Sequence, residues 1–151
     1  IADAVEPLTA AGYQIVHAYG RKNDAPATHE HYTAVPYIDD MEAAYAVADV
    51  VVCRSGAMTV AEVSAAGLPA IYVPLPHGNG EQARNATSAV DAGAGVVVTN
   101  AELDAQRLLA ETARIHDADA LARMSAAGRG LMPAHAAEEM AARVISATNS
   151  K

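Results

Sequence analysis

The stretch "DVVVCRSGAMTVAEVSAAGLPAIYVPL", residues 49–75, reads as strand, turn, helix, turn, strand. Its first part, "DVVVCR" (49–54), is apolar at successive positions, as a strand buried on both faces of a parallel sheet must be. The helix expected over residues 57–66 opens after Ser55-Gly56 and closes at Gly67, a residue that accepts the left-handed turn ending many helices. "PAIYVPL" (69–75) then supplies a second strand. A strand, a helix and another strand joined this closely form a βαβ unit, whose right-handed crossover makes the two strands parallel.

The alternation continues in both directions. Upstream, residues 2–11 read as a helix that contains Pro7 and stops at Gly12. "YQIVHAY" (13–19) and "TAVPYI" (33–38) read as short strands, separated by the loop "GRKNDAPATHEH" (20–31). Asp39 or Asp40 caps the helix "MEAAYAVA" (41–48). Downstream, "PHGNG" (76–80) leads to a helix over 81–91, and "AGVVVT" (94–99) to another strand. The remainder is helical over 103–115, 118–127 and 134–148, with "GRGLMP" (128–133) read as a turn. The last helix, Ala-rich and mixed in charge, is expected to pack against the rest. The fold class is therefore α/β: a Rossmann-like parallel sheet with helices on both faces, in one domain spanning 1–151, with a helical tail (103–148).

Composition narrows the partners. The 151 residues are 52% apolar but contain no Phe or Trp, so Val, Leu, Ile, Met and Tyr must build the core. A net charge of −8 with no basic cluster argues against a nucleic-acid surface. A negatively charged ligand would have to be held by backbone amides and local dipoles. The single cysteine, Cys53, excludes an intramolecular disulfide, fits a reducing compartment, and reads as a small core residue at a strand end. No apolar run approaches the length of a membrane span, and no stretch of these residues reads as a signal peptide. His29 and His31 flank Glu30 without further ligands at metal spacing, so neither a metal nor a cofactor is expected. No nucleophile elbow, Ser-His-Asp set or Walker sequence occurs. The opening "IADAVEPLTAAG" (1–12) reads as the tail of a helix already under way, which suggests a fragment.

In open α/β sheets ligands sit beyond the carboxyl ends of the strands. At one such end, Ser55-Gly56 begins a helix whose free amides and dipole suit an anion. Glu62 lies almost two turns further on the same face, roughly 10 Å along the axis, within reach of a ribose attached to a bound phosphate. The structural alternative is an ordinary N-cap at Ser55 and a solvated charge at Glu62. At the next strand end, Gln82 and Asn85 stand three residues apart on one helix face, and their amides suit sugar hydroxyls. The alternative there is a polar helix start after a flexible loop.

Taken together, "YIDDMEAAYAVADVVVCRSGAMTVAEVSAAGLPAIYVPL" (37–75), "EQARNA" (81–86) and "AGAGVVV" (92–98) resemble the carboxyl-terminal half of the MurG family of bacterial peptidoglycan glycosyltransferases. The likeness covers most of residues 13–100 and continues more loosely through the final helices. It implies a two-domain GT-B enzyme of which this chain is the UDP-N-acetylglucosamine (UDP-GlcNAc) binding half, without its first strand and Gly-rich turn. It further implies inverting transfer of GlcNAc to a lipid-linked muramyl-pentapeptide, with no metal and with the base in the other half. The family's place is peripheral, at the cytoplasmic face of the membrane, with membrane association only indirect.

By position, the resemblance gives Ile38 the uracil edge, beside Tyr37, and gives Glu62 the ribose hydroxyls. Ala57 and Met58 offer amides to the diphosphate and sugar, with Ser55, Gly56 and Thr59 around them. Gln82 and Asn85 fall at sugar-contacting positions. Glu81 stands where some members carry Gln; a carboxylate only accepts hydrogen bonds and repels a diphosphate unless shielded. Two other readings keep these residues differently employed. One is another UDP-sugar enzyme, such as a UDP-GlcNAc 2-epimerase or a different GT-B transferase. The other is a non-catalytic binding or assembly module.

Overall fold

A computed structural model describes residues 2–76, 79–131 and 136–149. A short 3-10 turn (Ala2–Ala4) leads into α1 (Val5–Ala10), followed by β1 (Ile15–Ala18), β2 (Tyr32–Val35) and α2 (Met41–Val47). Then come β3 (Val51–Cys53), α3 (Ala57–Ala66), β4 (Ala70–Tyr72), α4 (Glu81–Asp91) and β5 (Gly95–Val97). Three helices finish the chain: α5 (Ala105–Ile115), α6 (Ala118–Leu131) and α7 (Ala136–Asn149).

Local chemistry explains most boundaries. Asp40 caps α2, accepting from the Ala43 amide at 2.9 Å, and Asp104 caps α5, accepting from Arg107 at 2.7 Å. Pro7 is tolerated because it sits in the first turn of α1, where its missing N–H has no intrahelical acceptor to lose. β2 ends at Val35 rather than at Ile38, since Pro36 has no amide with which to continue the ladder. Gly67 ends α3 at φ +66°, donating to the Ser64 and Val63 carbonyls.

All ladders are parallel, but the strands form two pieces, β1-β2 and β3-β4-β5, where the sequence suggested one sheet. No ladder joins β1 to β3, and the apolar side chains Val16 and Val52 on these strands remain 59% and 36% exposed. A shared apolar layer connects the pieces instead: Ile15 and Val50 pack with Ile71, Val73, Val98, Leu8, Leu108 and Ile115. Successive β4 residues point to opposite faces, so Ala70 and Tyr72 enter a second layer with Val60, Val63, Ala86 and Ala89 from α3 and α4. Burying side chains of the size of Ile71, Val98 and Ile115 contributes about 1.5–3 kcal/mol each. Helices thus cover both faces of the three-stranded piece.

Helix α6 straddles these layers, with Ala127 and Leu131 against one and Leu121 and Met124 against the other. It runs through Gly128 to Leu131, where a turn over 128–133 was expected. A Cβ at Gly128 would stand 3.3 Å from the Ser64 carbonyl oxygen, so the glycine permits a close approach of α6 to the end of α3. That contact outweighs the roughly 1 kcal/mol that glycine costs a helix interior. The rest of the expected turn lies outside the described residues. The expectation that the last helix packs is also corrected. Residues 138–148 of α7 are all exposed, including Met140, Val144 and Ile145, so its apolar stripe is left uncovered by the described residues.

Candidate functional site

The carboxyl ends of β3, β4 and β5 lie side by side and carry most of the predicted site residues. Helix α3 starts immediately beyond β3 with Gly56 as its N-cap and no side-chain cap. The first intrahelical bond runs from the Val60 amide to the Gly56 carbonyl at 2.9 Å, so the amides of Ala57, Met58 and Thr59 have no partner within the helix. Ser55 is not the cap. It is completely buried, and its Oγ meets no hydrogen-bond partner among the described residues. A hydroxyl in that state costs about 1–3 kcal/mol, which an incoming polar group could recover. Met58 is 71% exposed, whereas Gly56 and Thr59 are half-buried.

Helix α4 is tied to this turn. Asn85 Nδ2 donates to the Ser55 carbonyl at 3.1 Å, and the Leu75 amide donates to Gln82 Oε1 at 3.0 Å. Each amide side chain therefore has one half occupied. Among the described residues, Gln82 keeps its Nε2 donors and Asn85 its Oδ1 acceptor, a complementary pair for a sugar hydroxyl. Glu81 is exposed at the start of α4, where its charge favours the helix dipole.

Glu62 takes a different position. Its carboxylate is exposed and accepts from the Tyr45 hydroxyl of α2 at 3.3 Å. Both line a cleft of about 600 Å³ between α2 and α3, with Met41, Glu42, Ala46, Ala65 and Ala66. Burial first, then the Glu62 charge and hydrogen bond, push the Tyr45 phenol above its ordinary range. The residues at the start of α3 are not among those that line this cleft. Ile38 is half-buried two residues before the cap of α2, the helix that reaches Glu62. Its neighbour Tyr37 is 55% exposed, with the Arg21 guanidinium 4.7 Å above its ring.

The sequence reading gave Tyr45 no role beyond its place in the helix 41–48, and gave Arg54 and Asn100 none beyond their places at strand ends. Arg54 Nη1 reaches the Val73 carbonyl at 3.0 Å, the Pro74 carbonyl at 3.4 Å and Asn100 Oδ1 at 2.8 Å. Arg54 and Asn100 were both readable as strand-end residues; their mutual contact was not, because it joins residues 46 positions apart. Among the described residues, no group of three or more His, Cys, Asp or Glu side chains could hold a metal ion, and no helix is long and apolar enough to cross a membrane.

Several known proteins similar to this chain are named glycosyltransferases. The profile of the glycosyltransferase family 28 C-terminal domain matches residues 1–143. A Cutibacterium acnes (strain DSM 16379 / KPA171202) relative is 68% identical over 150 residues, covering 95% of this chain and 40% of its own length. It is named UDP-N-acetylglucosamine--N-acetylmuramyl-(pentapeptide) pyrophosphoryl-undecaprenol N-acetylglucosamine transferase. A protein of the same name from Corynebacterium efficiens is 53% identical over 148 residues, covering 97% of this chain and 41% of its own length. The chain thus spans about two fifths of these relatives. The crystal structure of Acinetobacter baumannii MurG superposes with a TM-score of 0.66 at 31% identity, covering 72% of this chain and 32% of that one. The calicheamicin glycosyltransferase CalG4 shares the fold, with a TM-score of 0.74 at 23% identity over 93% of this chain and 37% of its own. With the profile matching residues 1–143 and relatives at 53–68% identity across nearly the whole chain, this chain belongs to the glycosyltransferase family 28 C-terminal domains.

Proposed function

We propose that this chain is the donor-binding part of an inverting glycosyltransferase that moves GlcNAc from UDP-GlcNAc to the undecaprenyl-pyrophosphoryl muramyl-pentapeptide at the cytoplasmic face of the membrane. The observation that carries the reading is the uncapped start of α3, with the buried hydroxyl of Ser55 lacking a partner beside it. Amides of Ala57, Met58 and Thr59 suit the diphosphate, Glu62 the ribose diol, and the backbone at Ile38 the uracil edge. Gln82 and Asn85 suit the sugar, and Glu81 borders it. The relatives' names supply the donor and acceptor.

The strand orders β2-β1 and β3-β4-β5 support the domain assignment as well. A six-stranded doubly wound sheet of order 3-2-1-4-5-6 without its first strand leaves this pattern. In the reaction, an acceptor hydroxyl oxygen attacks the anomeric carbon as the bond to UDP breaks, and its proton passes to a base in the acceptor half. The helix amides then face charge growing on the departing UDP, where fixed dipoles are most effective.

Titration calorimetry with UDP and UDP-GlcNAc tests this. The chain should bind both, UDP-GlcNAc more tightly, and Glu62→Ala should weaken both by about 10- to 100-fold, the worth of hydrogen bonds to a charged group. Equal affinity of the parent and Glu62→Ala chains would remove the ribose role.

A further inference from the structure

We propose that Arg54 is a positioning residue for the sugar end of the donor, an inference that rests on the function proposed above. Arg54 and Ser55 are adjacent, yet they grip opposite ends of the segment that carries Gln82. The Arg54 side chain holds the exit of β4 through the Val73 and Pro74 carbonyls. The Ser55 backbone holds the first turns of α4 through Asn85. Between these two grips, the Leu75 amide fixes Gln82 Oε1 and so sets where the Gln82 donors stand.

The guanidinium also anchors to the end of β5. Asn100 Oδ1 accepts from it at 2.8 Å, and Asn100 lies within a turn that Glu102 closes, its Oε2 accepting from the Thr99 amide and hydroxyl at 3.0 and 2.7 Å. All three of Arg54's acceptors are neutral, so the contact is a geometric clamp rather than an ion pair. All three bonds leave one nitrogen, Nη1, whose two hydrogens are shared among the three oxygens, with the Pro74 carbonyl the most distant at 3.4 Å. Removing it leaves the β4 exit without its side-chain tie, while the start of α3 keeps its own amides. Arg54 therefore governs discrimination between UDP-GlcNAc and UDP, not affinity for UDP itself.

The experiment measures UDP and UDP-GlcNAc affinity and amide hydrogen exchange on the chain, on Arg54→Ala and on Asn100→Ala. In Arg54→Ala the UDP affinity should stay within about twofold, while the preference for UDP-GlcNAc falls about tenfold; Asn100→Ala should show part of that fall. Exchange at the Leu75 amide should quicken about tenfold in Arg54→Ala, with or without nucleotide. Equal weakening of both ligands would mean that Arg54 acts as a charge on the diphosphate, and would overturn the proposal. An unchanged preference or unchanged Leu75 exchange would overturn it too. A parent chain that bound neither ligand would instead strike down the function itself, and with it the sugar role of the clamp.

Discussion

The Tyr45 hydroxyl stands 3.3 Å from the Glu62 carboxylate and joins two helices, α2 and α3, that enclose a cleft. The bond gives the acid an orientation before any ligand arrives. Tyr45→Phe should leave stability within about 1 kcal/mol, the usual net worth of a hydrogen bond. It should weaken UDP binding several-fold, and the effect should vanish with 2′,3′-dideoxy-UDP, which lacks the diol. Calorimetry with the two nucleotides checks this; an equal loss with both would detach Glu62 from the ribose.

Ser55 offers an opposition between stability and binding. Its hydroxyl is buried without a partner, so Ser55→Ala removes an unsatisfied group rather than a contact. Urea unfolding should show unchanged or raised stability, by up to about 1–2 kcal/mol. Affinity for UDP-GlcNAc should fall in the same variant. A clear loss of stability would mean that the hydroxyl has a structural partner.

Gly67 combines a backbone and a steric constraint. At φ +66°, a Cβ there would also lie 2.5 Å from Arg129 Nε and 2.8 Å from Arg129 Cγ. Gly67→Ala should cost about 1–3 kcal/mol, from left-handed strain plus displacement of the Arg129 side chain. Adding Arg129→Ala should recover only the steric part. Full recovery in the double variant would show that backbone strain contributes little.

Alkaline stability should follow Cys53 and Tyr72. Burial raises the Cys53 thiol from 9.0 to about 11. Burial, then the nearby Cys53 thiolate charge, raises the Tyr72 phenol from 10.0 to about 12; its contact with Ser64, too poor in geometry for a full hydrogen bond, pulls weakly the other way. The native state holds both protons that the unfolded chain releases earlier. Stability is therefore fully present below pH 9 and is lost as pH rises through 12. The urea midpoint should be flat near neutrality and fall above pH 9. Cys53→Ala should remove the decline that begins near pH 9 and leave a smaller one from Tyr72 that begins near pH 10, since the thiolate charge that helps raise the phenol is gone. The same burial should make iodoacetamide at pH 8 react with the native thiol far more slowly than with the unfolded one.

Legibility in the sequence followed the range of the interactions. The limits of α3 and α4 match the expected 57–66 and 81–91, because glycines stand at or beside their ends and the signal is local. Asp40 was readable as a cap for the same reason. The strands came out shorter than their apolar runs, since ladder bonds need a neighbour: β3 keeps Val51–Cys53 of the run 49–54. The turn expected at Gly128 failed because a contact with α3, distant in sequence, outweighs the local preference of glycine.

The order of elements, the parallel α/β class, the charge that leaves anion binding to backbone amides, and the grouping of Ser55, Gln82 and Asn85 at strand ends were all set by the linear sequence. Each depends on periodicity or on residues a few positions apart. Tertiary structure alone decided that the strands pair in two pieces, that Ser55 Oγ is buried unpartnered, that Tyr45 meets Glu62, and that Arg54 clasps the ends of β4 and β5. These contacts join residues 17 to 46 positions apart, and only the packing of helices on the sheet brings such groups within hydrogen-bonding distance.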